Sequence, residues 1–328
     1  MGLTIIDIAR LSGTSKSTVS RYLNKGSVSA KAAEKIEKVI RETNYQKNAA
    51  ASQLKSNQSF LIGVMVNFSN FGSTSVTEVL KGFDSGLEHT KYKPFIMLNH
   101  NDSQTTIQNL QLLISQGVDA LVLGISSFNN AEVTAFLKTL SLPILVLGDQ
   151  SKDFPYRKFD NFQAGRLMGK HLFEKGFKRV TFLIPPQDSD NMMHDRLEGI
   201  KEYFDEDSIS TYPYHSDGQN YQQTAKILSQ SQPDVIVGYS DRVVMSTLQY
   251  LNEHNIKIPN QVAVAGFGNS PYSAFTSPQL TTVHFDLFEV GLNLAKDIVA
   301  LIQEESIEQV REDFAITLIE RASTLPLA

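Results

Sequence analysis

A chain of 328 residues, 41% hydrophobic and 20% charged, is long for one domain and has enough apolar material for ordinary globular cores. It holds no cysteine, which excludes a disulfide framework, thiolate catalysis and cysteine-ligated zinc or iron–sulfur sites. The formal net charge of -5 hides a division, because residues 1–59 carry ten Lys and Arg against four Asp and Glu, so the remainder is strongly acidic. A basic end on an acidic chain suggests a polyanion partner, although a solvated helical face gives the same charge. The start, "MGLTIIDIARLSG", has neither a basic leader nor a long apolar run, and no stretch approaches the ~20 apolar residues of a membrane helix. The expectation is a cytoplasmic protein with no membrane partner.

Three short helices are expected first. Thr4 can cap one that runs through Leu11, with Asp7 completing a capping-box variant and Gly13 ending it. A second spans about Ser15 to Asn24, with Val19, Tyr22 and Leu23 turned inward. A third runs from Ser29 to about Asn44, with Ala32, Ala33, Ile36, Val39 and Ile40 as its stripe. Two helices joined by a glycine-containing turn and backed by a third make a helix-turn-helix unit, whose second helix enters the DNA major groove. Lys16 can donate to guanine, Ser17 is short enough to bring the helix close, and Arg21 is one turn further on. Thr4, Ser15, Ser20, Asn24 and Ser29 suit phosphate contacts, which position the protein rather than read sequence.

These residues carry a specific resemblance. "LTIIDIARLSGTSKSTVSRYLN" is similar to the DNA-binding signature of the lactose-repressor family of bacterial regulators, and "TNYQKNAAASQLKSNQSFLIGV" to its next segment. The resemblance implies a hinge helix that pairs with a second copy on the operator and inserts a leucine into the minor groove, here Leu54. Alternatively, Leu54 is a linker residue packed on its own core. "NAAASQL" favours helix but is too short to persist alone.

From Ser59 onward, apolar runs alternate with helical stretches. The runs are "SFLIGVMVN", "KPFIMLN", "VDALVLG", "LPILVLGD", "RVTFLIP", "PDVIVGY" and "QVAVAGFG". Runs of this kind fit strands buried on both faces, and helices such as Asn161–Gly176 and Asp241–Asn255 keep a βα rhythm. The expected fold is α/β, with an N-terminal all-α domain and a two-lobed, doubly wound parallel-sheet core like that of periplasmic sugar-binding proteins. The boundaries expected are 1–46 for the helix-turn-helix and 47–58 for the hinge. Residues 59–159 plus 287–322 would form one lobe and 160–286 the other, the return of 287–322 being implied by the resemblance. A ligand cleft belongs between the lobes, at the carboxyl ends of the strands.

No catalytic or metal constellation is present. There is no P-loop, no G-x-S-x-G and no H-E-x-x-H, and the seven histidines are scattered. The expectation is a protein that is not an enzyme and needs no cofactor. Candidate effector contacts sit just past strand ends. They are Asn67, Ser69 and Phe71 after the first strand and Asp149 after the fourth. Arg196 in "HDRLEGI" matches the family's ligand-binding arginine; His215, Ser240, Asn269 and Phe285 match other pocket positions. For each of these except Arg196, a structural role is an equal alternative. Gly268 replaces an acid common in the family, and "GNSPYSAFTSPQLTTV" looks closest to trehalose and sucrose regulators. The type that senses a phosphorylated sugar has arginines where Asn67 and Asp149 stand here, and a carboxylate would repel phosphate.

The resulting expectation is a homodimeric repressor of a carbohydrate operon, bound to pseudo-palindromic double-stranded DNA and released by a small sugar, a disaccharide or oligosaccharide. Co-repression by a ligand or partner protein, and a sugar-phosphate effector, are the alternatives. With no heptad tail after "ERASTLPLA", a coiled-coil tetramer is not expected.

Overall fold

A computed structural model describes residues 3–45, 58–67, 74–100, 102–124, 130–148, 151–184, 192–214, 220–307, 310–311 and 314–325. It divides into two compact units, Met1–Ser59 and Phe60–Ala328. No helix among the described residues is long and apolar enough to cross a membrane.

The first unit contains α1 (Ile5–Ser12), α2 (Lys16–Leu23) and α3 (Ala30–Thr43). Each begins at a hydroxyl residue that accepts from its own first turn, where backbone donors lack partners. Thr4 forms the full capping box with Asp7, Ser15 accepts from the Thr18 amide, and Ser29 from the Ala32 amide. Ile8, Ala9, Val19, Ile36 and Val39 close a small core, with Tyr22 and Leu23 against it.

The second unit holds two six-stranded sheets. The first has the order β11-β5-β4-β3-β1-β2, from β1 (Leu61–Asn67), β2 (Lys93–Asn99), β3 (Ala120–Gly124), β4 (Ile144–Leu147), β5 (Tyr156–Arg157) and β11 (Val310–Arg311), and every pairing is parallel. The second has the order β12-β10-β9-β8-β6-β7, from β6 (Val180–Ile184), β7 (Ile209–Pro213), β8 (Val235–Gly238), β9 (Ala263–Phe267), β10 (Thr281–Phe285) and β12 (Ile316–Ile319). The two sheets thus repeat one winding order. In the first lobe, α4 (Thr74–Leu87) and α11 (Leu287–Ile302) cover one face and α5 (Ser103–Ser115) and α6 (Ala131–Lys138) the other. In the second, α7 (Asn161–Glu174) and α8 (Met192–Lys201) lie opposite α9 (Asn220–Ser231) and α10 (Met245–Glu253). Apolar runs become buried strands where helices cover both faces; β2, at the edge of its sheet, stays partly exposed, against the expectation for "KPFIMLN".

The return of the chain differs from the single block 287–322 expected from sequence. α11 and β11 do rejoin the first lobe, but β12 lies antiparallel on β10 in the second. The reason is an open sheet edge. β10 presents unpaired backbone groups, and β12 satisfies them. Ser323 and Thr324 then bury themselves against Val264 and Thr281. The chain therefore passes between the sheets three times, after β5, after β10 and between β11 and β12. Phe159, Phe285 and Phe314 stand at these passages, Phe159 lying 5.7 Å from Phe285 and 5.9 Å from Phe314, centroid to centroid.

Candidate functional site

In the helical unit, α2 separates two faces. Val19 is fully buried, whereas Lys16, Ser17, Arg21 and Asn24 are exposed and Ser20 is half-buried. Ser17, Ser20, Arg21 and Asn24 recur at helical spacing and form one outward stripe. The hydroxyls of Thr4, Ser15 and Ser29 are occupied in part by capping, and Ser15 also pairs with Ser17 at 2.7 Å. Capping leaves α2 with amides at its N-terminus directed outward, an arrangement suited to an anion. Leu54 lies outside the described residues.

In the two-lobed unit, a cavity of about 190 Å³ opens between the sheets at the carboxyl ends of their strands. This is where an α/β sheet of this winding order accepts ligands. Asn67 at the end of β1, Gly124 at the end of β3 and Leu147 at the end of β4 line it from the first lobe, with Ser75 and Val79 of α4. Asn161, Arg196, Ser240, Phe267, Gly268 and Phe285 line it from the second.

Arg196 is the centre of that second wall, 8% exposed. Its Nε donates to Asn161 Oδ1 at 2.9 Å, and an Nη donates to the Tyr239 carbonyl. The guanidinium carbon lies 5.0 Å from the ring centroids of both Phe267 and Phe285. A cation between two ring faces is held electrostatically, and the fork stays planar and oriented. Arg196 reaches this place because α7 and α8 pack backbone to backbone. A side chain at Gly165 would collide with the Arg196 carbonyl, so glycine there permits the approach.

Asn67, named from its place at a strand end, and Arg196, Ser240 and Phe285, named from the resemblance, all line this one cavity. Asn269 is not among the cavity residues. Its Oδ1 accepts from Arg321 at 2.7 Å and its amide group faces His284 at 3.4 Å, so the side chain is engaged behind the wall. Its neighbour Gly268 lines the cavity instead, at φ +114°, a conformation side chains rarely adopt. Ser69, Phe71, Asp149 and His215 lie outside the described residues. Sequence reasoning missed Asn161 as a partner of Arg196 and Phe267 as its platform. Phe159 ends the first segment of the expected first lobe and Asn161 opens an expected helix, and nothing local marks a crossing residue as a cavity residue.

Behind the second wall, Asp241 accepts from the Ser270 amide and the Thr282 hydroxyl, each at 2.6 Å. Burial pushes its carboxyl above the usual carboxylate range, against the pull of those hydrogen bonds. No group of His, Cys, Asp and Glu among the described residues could hold a metal ion.

Residues 4–48 match the family of bacterial regulatory proteins named lacI, and residues 170–324 match a periplasmic binding protein-like domain. The sucrose operon repressor of Staphylococcus xylosus is 29% identical over 311 residues, 93% of this chain and 95% of that protein. The ribose operon repressor of Lactococcus lactis subsp. lactis (strain IL1403) is 24% identical over 325 residues, 97% of each. Among solved structures, the lac repressor dimer bound to operator and the anti-inducer ONPF superposes with a TM-score of 0.87, at 23% identity, covering 99% of this chain and 100% of that one. A lacI-family DNA-binding match ahead of a periplasmic binding protein-like match, together with operon-repressor relatives along nearly the whole chain, supports a LacI/GalR-type transcriptional regulator rather than an enzyme.

Proposed function

We propose that this chain is a homodimeric, cytoplasmic repressor of a carbohydrate operon, released from its operator by a small neutral sugar. The observation that carries the reading is the pairing, in one chain, of a basic helix-turn-helix unit with a strand-end cavity organised around Arg196. The relatives support it. Two are named sucrose and ribose operon repressors, and a solved neighbour is a regulator in complex with cellobiose, 22% identical with a TM-score of 0.70.

Each subunit presents α2 to one half of a pseudo-palindromic site. Lys16, Ser17 and Arg21 read base edges; Ser20, Asn24, Thr4, Ser15 and Ser29 stand near phosphates and fix the register. Residues 47–58 form the hinge, with Leu54 as the minor-groove wedge. In the core, Arg196 donates its planar fork to sugar hydroxyls, Asn67 and Ser240 add shorter polar contacts, and Phe285 supplies a ring face. Ser69, Phe71, Asp149 and His215 complete the contacts from the strand-end loops. The sugar must bind the low-affinity state better than the operator-bound one, and a coupling of about 1–3 kcal/mol changes DNA affinity 5–150-fold.

The test is a thermal-shift screen of the full chain against free and phosphorylated mono- and disaccharides, followed by titration of the hit against a duplex selected from a random pool. A binding sugar raises the midpoint by mass action. The expected outcome is a shift that Arg196→Ala abolishes while duplex binding persists. A complex with DNA unmoved by every sugar rejects induction.

A further inference from the structure

Arg321 lies beyond the third passage between the lobes, two residues after β12, and is not among the residues that line the cavity. Its guanidinium nevertheless reaches the segment that forms one edge of the cavity. One Nη donates to Ser273 Oγ at 3.0 Å and to the Leu280 carbonyl at 2.7 Å; the other donates to Asn269 Oδ1 at 2.7 Å. Arg321 is itself fixed. Its backbone amide donates to Thr281 Oγ1 at 2.9 Å, and that hydroxyl also pairs with Thr324, which pairs with His171.

The segment that Arg321 holds has an unusual backbone. Gly268 and Asn269 are both at positive φ, +114° and +44°. Gly268 adopts that region without strain, whereas a non-glycine residue such as Asn269 persists there where its surroundings hold it. From one side the segment is held by Asp241, through the Ser270 amide and Thr282, and Asp241 directly follows the cavity residue Ser240. From the other side it is held by Arg321. The planar guanidinium is suited to this, since it directs several donors at once where an ammonium is a single point.

We infer that Arg321 is a positioning residue of the effector cavity, holding the Gly268–Ser273 segment in the shape that lets Gly268 and Ser240 face the ligand. It acts through Asn269, whose side chain is thereby a strut and not a ligand contact. The inference rests on the cavity being the effector site, and its test separates the two. Arg321→Lys keeps the charge and stem but loses the fork, and Asn269→Gly removes the acceptor while tolerating the positive φ.

Hydrogen exchange on the full chain, without ligand, should show the Ser270 amide exchanging about tenfold faster in both variants, and the Asn269 amide likewise in Arg321→Lys, with β6, β8 and β9 unchanged. Binding of sucrose, trehalose and cellobiose as probes, measured by calorimetry, should weaken by about tenfold for whichever probe the parent protein binds, with the thermal midpoint nearly unmoved. Unchanged exchange at Asn269 and Ser270 overturns the inference. So does exchange raised evenly through the second sheet, which marks a general structural role, or a loosened segment with unaltered probe affinity. If the parent binds none of the three, the sugar found in the thermal-shift screen takes their place as probe, and the exchange data decide separately whether Arg321 holds the segment.

Discussion

The first lobe meets the cavity mainly with apolar side chains, Val64, Val66, Val76, Val79, Leu80, Phe83, Val122, Leu147 and Leu294, with Asn67 and Ser75 as its polar ones, whereas the second brings Arg196, Ser240, Asn161 and two phenyl rings. Several residues of the first wall, among them Val64, Val66, Phe83, Val122, Leu147 and Leu294, also belong to that lobe's own hydrophobic core. Its shape therefore follows from close packing, which is dense but has no direction. The second wall is held by directed bonds. Arg196 is oriented by Asn161 and Tyr239, and the neighbouring loops are braced by Asp241 and Arg321. A ligand between these walls gains area from one and orientation from the other.

Three changes would break or sharpen that contrast. The largest effect is expected where the first lobe departs from pure packing. Arg157 on β5 donates to Asp297 on α11 at 2.7 Å, the two side chains being 1% and 8% exposed. Asp297→Ala should cost about 3–5 kcal/mol in denaturant unfolding, because it breaks a buried ion pair by removing one of its members. A loss below about 1 kcal/mol would show that packing alone holds the first lobe.

A middle effect tests the dryness of the first wall. Val66→Thr keeps the shape and adds a hydroxyl, and should cost about 1–3 kcal/mol if no partner is present. A neutral result would mean that water reaches that wall, and the contrast would weaken.

The smallest effect concerns the rear of the second lobe. His171 is buried, with Thr324 at one ring nitrogen, Glu320 at the other and Lys175 nearby. Burial lowers its pKa from the ordinary 6.5, with Lys175 adding to the effect and Glu320 opposing it. Folding therefore favours the neutral ring. Its contribution is complete above about pH 6.5 and is lost as pH falls through the unfolded value toward the folded one, by at most about 1.4 kcal/mol per pH unit. His171→Gln should flatten the fall in thermal midpoint between about pH 7 and pH 5. An unchanged slope would assign the acid sensitivity to the carboxylates instead.

The helical unit was legible because its signals are local. Thr4, Ser15 and Ser29 cap helices within one or two residues of where sequence placed them, since a hydroxyl needs only its own next turn to act. Seven strands were legible as apolar runs, whereas the buried β5 and β10, short or rich in threonine, were not. β7, with alternately half-buried and exposed residues, carries no such run and was not anticipated. Arg196 came from resemblance; its phenyl platforms and Asn161 came only from the coordinates.

Sequence alone determined a basic three-helix reader ahead of an acidic, repeating α/β core, because capping and burial on both faces are written in neighbouring residues. The tertiary structure decided which sheet β12 joins, that Asn269 turns away from the cavity, and that Arg321, fifty-two positions further on, holds it there. An edge strand takes the open edge nearest to it, and a guanidinium takes the acceptors that folding brings within reach. Neither choice exists until the sheets have formed.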